Sequence, residues 1–210
     1  MIGADAIIRC LEAEGVDTVY GYPGVAICPF YNSILDSDIQ TILVRTEQNA
    51  AHAASGYARI SGKPGVCAVT SGPGATNVIT GIATAFADSI PLVCITGQVN
   101  SELLGSDVFQ EADITGAVES FVKYSYLVKN ANDIPRIFKE AFYLANTGRK
   151  GPEVLILGEL DSVLCPEHPE SDKTTGAVHA CGHNTQCAAL IGIAAALKEP
   201  GILDKFCGKI

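Results

Sequence analysis

An α/β fold, with a doubly wound, mainly parallel sheet and helices on both faces, is the class this sequence predicts, and three observations predict it. Short β-branched runs alternate with longer alanine-rich stretches from residue 4 to residue 157. Within the longer stretches apolar residues recur at three-to-four spacing, the period of a helix with one buried face. Hydrophobic content of 48% against charged content of 18%, with no Trp, suits an alanine-rich layered core.

Taken in order, residues 4–14 form an acid-bearing amphipathic helix pattern, and residues 18–22, TVYGY, a β-branched and aromatic strand run. A helix pattern at 27–35 leads to a strand at 41–44, TILV. The longest helix pattern, 47–61, is followed by a strand at 65–70 that runs into the turn SGPG. Residues 75–87 read as helix, 91–96 and 124–128 as strands, 132–146 as helix and 153–157 as a closing strand. Strands alternating with helices in this rhythm require parallel pairing and a sheet covered on both faces.

Composition excludes several function classes. A net charge of -9 argues against nucleic acid or an anionic membrane as partner. No apolar run approaches the roughly 18 residues of a membrane span, and residue 1 leads directly into an acid-bearing helix, so a cytoplasmic protein without signal peptide is expected. The eight cysteines lack framework spacing; Cys10, Cys67 and Cys94 fall in apolar helix or strand patterns and read as reduced core thiols.

Two motifs carry chemistry. RTEQNAAHAASGYAR (residues 45–59) places Glu47 just beyond a strand, at the carboxyl edge where open α/β sheets hold their ligands, and SGPGATN (residues 71–77) occupies the equivalent place one strand later. Both are expected to point into one crevice. A carboxylic acid in a poorly solvated crevice resists ionisation, so Glu47 is expected to titrate above the roughly 4.3 of a free Glu and to share a proton with a ring nitrogen. A first-turn carboxylate that offsets the helix dipole would occupy the same position, and Gly and Pro before Ala and Thr also make an ordinary strand-to-helix turn.

From about residue 3 to residue 152 the chain resembles the amino-terminal pyrimidine-binding domain of thiamine-diphosphate enzymes, the acetolactate synthase large subunits in particular. The resemblance rests on six motifs in one order: GYPGVAI, RTEQNAAHAASGYAR, SGKPGVCAVTSGPGATN, ADSIPLVCITGQV, GSDVFQEADI and DIPRIFKEAFYLANTGRKGP. It implies that Glu47 hydrogen-bonds the aminopyrimidine ring and lets the cofactor deprotonate its own thiazolium carbon for attack on a 2-keto acid such as pyruvate. It further implies that Gly24, Val25, Pro73 and Asn77 line the cofactor, that Phe109 and Gln110 face the substrate, and that Gln110 shares in catalysis. Phe109 reads equally well as a core aromatic.

The chain departs from the family pattern at Val25, where the family usually has glycine, at Thr46, where it has histidine, and at Asn100, where it has proline. The Gly-Asp-Gly and Asn signature that holds the diphosphate through a divalent metal such as magnesium is not in these 210 residues, and no GxxxxGK[ST] loop occurs. Half an active site is therefore expected here, in a chain that forms a homodimer or associates with a partner thiamine-enzyme domain.

Residues 153–210 are similar to the opening of the metal-dependent amidohydrolase and aminoacylase-type peptidases, on GELDSV and HACGHN. That resemblance implies a metal-bridging Asp161 and metal ligands Cys181 and His183, suited to zinc. Read without it, Cys181 is an inert thiol and His183 a helix-start residue. The expected division is a pyrimidine-binding-like domain at 1–158 and a hydrolase-like fragment at 159–210, so a metal-binding hydrolase fragment is the alternative function.

Overall fold

The computed structural model describes residues 2–100 and 112–159. Six strands form one sheet in the order β2-β1-β3-β4-β6-β5: β1 (Thr18–Tyr22), β2 (Gln40–Leu43), β3 (Gly65–Val69), β4 (Leu92–Asn100), β5 (Tyr124–Val128) and β6 (Pro152–Glu159). Every neighbouring pair is parallel. The chain runs outward from β1 to β2, then crosses back over β1 to β3, so its direction reverses between β1 and β3. Such a reversal leaves an open crevice beyond the strands' carboxyl ends.

Helices cover both faces. On one lie α1 (Gly3–Ala13), α2 (Cys28–Ile34) and α7 (Ile134–Asn146), packing Ile7, Leu11, Phe30, Phe138 and Phe142 against Val66, Ile95 and Leu155. On the other lie α3 (Glu47–Ser61), α4 (Pro73–Asn77), α5 (Ile79–Ala87) and α6 (Ile114–Val118), whose small side chains Ala50, Ala51, Ala54 and Ala85 bring the layer close to Cys67, Val69 and Cys94. All five positions of β3 are buried, as expected of a central strand covered twice.

Several boundaries differ from the sequence expectation. The pattern at 27–35 begins as a 3₁₀ turn, Val25–Ile27, and becomes α-helical at Cys28, where Pro29 supplies a preset first turn. The stretch expected as one helix at 75–87 starts earlier, because Pro73 opens α4, and is divided at Val78. Helix α6 was not expected: five residues are too few to display a helical period, and what holds it is Asp113, whose carboxylate accepts the Gly116 N–H at 2.9 Å. Strand β6 runs two residues beyond the expected 157.

Local polar ties set the element ends. Asp5 accepts the Ile2 N–H at 3.1 Å and the Ser33 hydroxyl at 2.8 Å, fixing α1 to α2. At the amino-terminal edge of the sheet the Tyr57 hydroxyl and the Lys63 ammonium both donate to Asp17, at 2.7 and 2.9 Å. Those bonds, with one from Thr18, hold the Asp17 carboxyl down at about 2. Cys67 and Cys94 are buried, free and opposite each other in register, while Cys10 is half-buried and also free.

Candidate functional site

The crevice is built from three strand exits. β1 ends in Tyr22 and gives way to Pro23, Gly24 and the 3₁₀ turn. β2 ends at Leu43, and Thr46 then caps α3, its hydroxyl accepting the Asn49 N–H at 3.4 Å, so that Glu47 becomes the first helical residue. β3 ends at Val69, followed by Thr70, Ser71, Gly72 and α4. Thr46 thus has a local reason to be there: its short hydroxyl side chain serves an orphan helix N–H.

Glu47 is half-buried, and Asn77 donates its Nδ2 to Glu47 Oε2 at 2.9 Å. Among the described residues Oε1 accepts no hydrogen bond. That oxygen lies toward Gly74, where an added Cβ would stand 3.4 Å from it. One carboxylate oxygen is therefore braced by the protein and the other remains available for an external donor. As a first-turn acid Glu47 also sits at the positive end of the α3 dipole.

Two glycines let the crevice walls close on Thr70. A Cβ at Gly24 would fall 2.5 to 2.7 Å from three side-chain atoms of Thr70, and one at Gly74 would fall 2.6 Å from its Cγ2. Any larger residue at either place would push the two turns apart. Thr70 Oγ1 and Ser71 Oγ, just after β3, and Thr96 Oγ1 of β4, in register with Val69, are all buried without a hydrogen-bond partner among the described residues. Unsatisfied hydroxyls are costly, and three beside one crevice leave donors and acceptors suited to a polar ligand.

The sequence-predicted residues fall as follows. Gly24, Glu47, Pro73 and Asn77 all border this crevice, with Pro73 and Asn77 exposed on α4. Val25 begins the 3₁₀ turn and is 41% exposed. Phe109, Gln110, Asp161, Cys181 and His183 lie outside the described residues. Thr70 was not singled out from the sequence; the signal available was its place as the last strand residue before SGPG.

Comparison with known proteins shows the family. Residues 1–117 match the model of the thiamine pyrophosphate enzyme N-terminal TPP binding domain. A probable acetolactate synthase large subunit of Methanocaldococcus jannaschii is 46% identical over 209 residues, covering 97% of this chain and 35% of that protein. The acetolactate synthase large subunit of Buchnera aphidicola subsp. Schizaphis graminum is 55% identical over 156 residues, 74% of this chain and 27% of its own length. Isozyme 2 of Escherichia coli is 53% identical over 152 residues, 72% of this chain and 28% of its own length. The chain thus spans about a third or less of these relatives. The hydrolase reading of the last quarter finds no support: the Methanocaldococcus similarity extends over nearly the whole chain instead.

Proposed function

Because this chain belongs to the thiamine pyrophosphate enzymes and carries their N-terminal TPP binding domain, we propose that the Glu47 crevice takes the aminopyrimidine half of thiamine diphosphate in an acetolactate-synthase-like enzyme. The reaction is decarboxylation of a 2-keto acid and joining of the product to a second one, a step toward branched-chain amino acids. One observation carries the reading: a carboxylate braced on Oε2 by Asn77, with Oε1 uncommitted among the described residues, between two turns that glycine alone allows to close.

The residues present fit the heterocycle in their chemistry. Gly24 and Gly74 let the two turns close on Thr70, and the orphan hydroxyls of Thr70 and Ser71 are donors and acceptors for ring substituents. When bound, the cofactor supplies an electron sink for carbon–carbon bond cleavage and formation. Glu47 holds a proton at Oε1 and passes it to or from a ring nitrogen. Asn77 fixes the carboxylate plane, so the proton is delivered in one direction, and Pro73 and Val25 line the approach. Gln110 and Phe109 belong to the substrate side on the family pattern.

We assign the pyrimidine-binding domain to residues 1–158. The diphosphate, with its magnesium ion, is assigned to a thiamine-enzyme domain outside these residues, and the protein to a homodimer or an assembly with such a partner domain, in the cytoplasm. Among the described residues no helix is long and apolar enough to cross a membrane. The test is complementation. This chain is mixed with a separately produced diphosphate-binding domain, thiamine diphosphate, magnesium and pyruvate, and carbon dioxide release is followed. Release that depends on Glu47 supports the reading; equal release with Glu47→Gln removes it.

A further inference from the structure

At the far end of the sheet from the crevice, Glu153 is wholly buried, and among the described residues neither carboxyl oxygen has a partner within hydrogen-bonding geometry, the Tyr124 backbone N–H facing the carboxyl from β5. It is the second residue of β6, between Val93 of β4 and Tyr124 of β5 in register. Alternation along β6 puts it on the face of Leu155 and Leu157, beneath α7. A buried carboxyl with no partner is uncommon, because an ionised one in that place is strongly disfavoured.

The charged and titratable groups around it are few. Lys123 lies just before β5, its backbone N–H donating to the Pro152 carbonyl at 2.9 Å. Its stem runs over Gly151, and its ammonium donates to the carbonyls of Leu144 and Thr147, the latter at 2.8 Å, at the carboxyl end of α7. Tyr124 and Tyr126 come from β5, and the buried Tyr126 hydroxyl has no hydrogen-bond partner. Glu140 comes from α7, where it pairs with Arg136 at 3.1 Å. β4 contributes only the apolar Val93.

We propose that Glu153 and Lys123 form an alkaline-sensitive latch on the carboxyl end of α7. With the carboxyl neutral, the Lys123 ammonium is committed to the α7 carbonyls and ties that helix to the entries of β5 and β6. Loss of the proton creates a buried carboxylate whose nearest cation is Lys123. The ammonium is drawn from Leu144 and Thr147 toward Glu153, and the last turn of α7 is released.

Burial pushes the Glu153 carboxyl up to about 8, with Lys123 and the Tyr124 backbone N–H opposing the shift and Glu140 adding to it. An acid whose folded value lies above its unfolded one holds its proton longer in the folded chain. Its stabilising share is complete below the unfolded value of 4.5 and is lost as pH rises through about 8.

The test follows the full chain from about pH 5.5 to about pH 9.5 by amide exchange of residues 143–148, corrected for the intrinsic rate, and by the carboxyl ¹³C shift of Glu153. Protection is expected to fall roughly tenfold over that interval, together with the carboxyl titration. Glu153→Gln is expected to keep the acid-side protection at every pH, and Lys123→Met to lack it at every pH. The proposal is overturned by the same fall in Glu153→Gln, by a Glu153 midpoint under about pH 6, or by carboxyl titration without change in α7. If Glu153→Gln does not fold, the wild-type carboxyl shift and Lys123→Met decide by the same criteria.

Discussion

Asn77 Nδ2 donates to Glu47 Oε2 across 2.9 Å, joining the last residue of α4 to the first residue of α3. The two residues come from different strand exits, so the bond fixes the carboxylate relative to the SGPG turn as well as relative to its own helix. Among the described residues Glu47 is braced at one oxygen and uncommitted at the other, which is the condition for aiming a proton.

Asn77→Ala removes that brace at an exposed position, so folding stability should change by less than about 1 kcal/mol. The carboxyl then loses its fixed orientation toward the ligand, so thiamine diphosphate affinity should fall roughly tenfold, the loss of about one well-aligned hydrogen bond. Paired thermal unfolding and calorimetric titration would separate these effects; a large stability loss with unchanged binding contradicts the assigned role.

Thr70→Val keeps the shape of the side chain wedged between Gly24 and Gly74 and deletes only a buried hydroxyl without a partner. The variant should be as stable as the parent or more so, because no protein hydrogen bond is lost. Gly74→Ala should instead cost about 1–3 kcal/mol, since its Cβ meets Thr70 Cγ2 at 2.6 Å. Urea unfolding of both variants checks the contrast, and the reverse order would refute the packing argument.

Acid stability should depend on Asp17. Its carboxyl is held at about 2 by hydrogen bonds from Tyr57, Lys63 and Thr18, below the ordinary value of 3.8. A depressed acid contributes stability above its unfolded value and loses it as pH falls through the folded one, so the window runs from about 4 down to about 2. Asp17→Asn should flatten the acid limb of a urea-midpoint profile there and leave the limb above about pH 6 parallel to that of the parent.

Tyr31 reaches from α2 to donate its hydroxyl to the Ala68 carbonyl of β3 at 2.9 Å. Tyr31→Phe leaves a buried carbonyl short of a donor and should destabilise the chain by about 1–2 kcal/mol. Chemical denaturation measures this directly, and an unchanged midpoint would mean that the bond contributes nothing net.

Much of this protein was legible from spacing alone. The runs TVYGY, GVCAV and YSYLV became strands at their expected positions because their β-branched and aromatic residues fit a pleated, buried surface. Helix α3 kept its expected bounds, with Thr46 as a capping hydroxyl at one end and Gly62 in the left-handed region at the other. The positions of Glu47 and SGPGATN past two strand ends followed from the same periodicity.

What only the folded chain decided involves groups that meet across sequence distance. The strand order, with β6 inserted between β4 and β5, is set by how the layers pack, and no local pattern encodes it. The meeting of Thr70 with Gly24 and Gly74 depends on β1 and β3 lying side by side. Glu153 looked like the polar start of a strand; its burial beneath α7, without a partner, arises because β4 and β5 flank it and a helix covers it. The sequence by itself determined which segments are strand or helix and which residue types stand at the strand ends, since both follow from period and local backbone preference. Tertiary structure decided which of those residues touch and which polar groups lose water, because contact and desolvation are properties of packed layers rather than of neighbours in the chain.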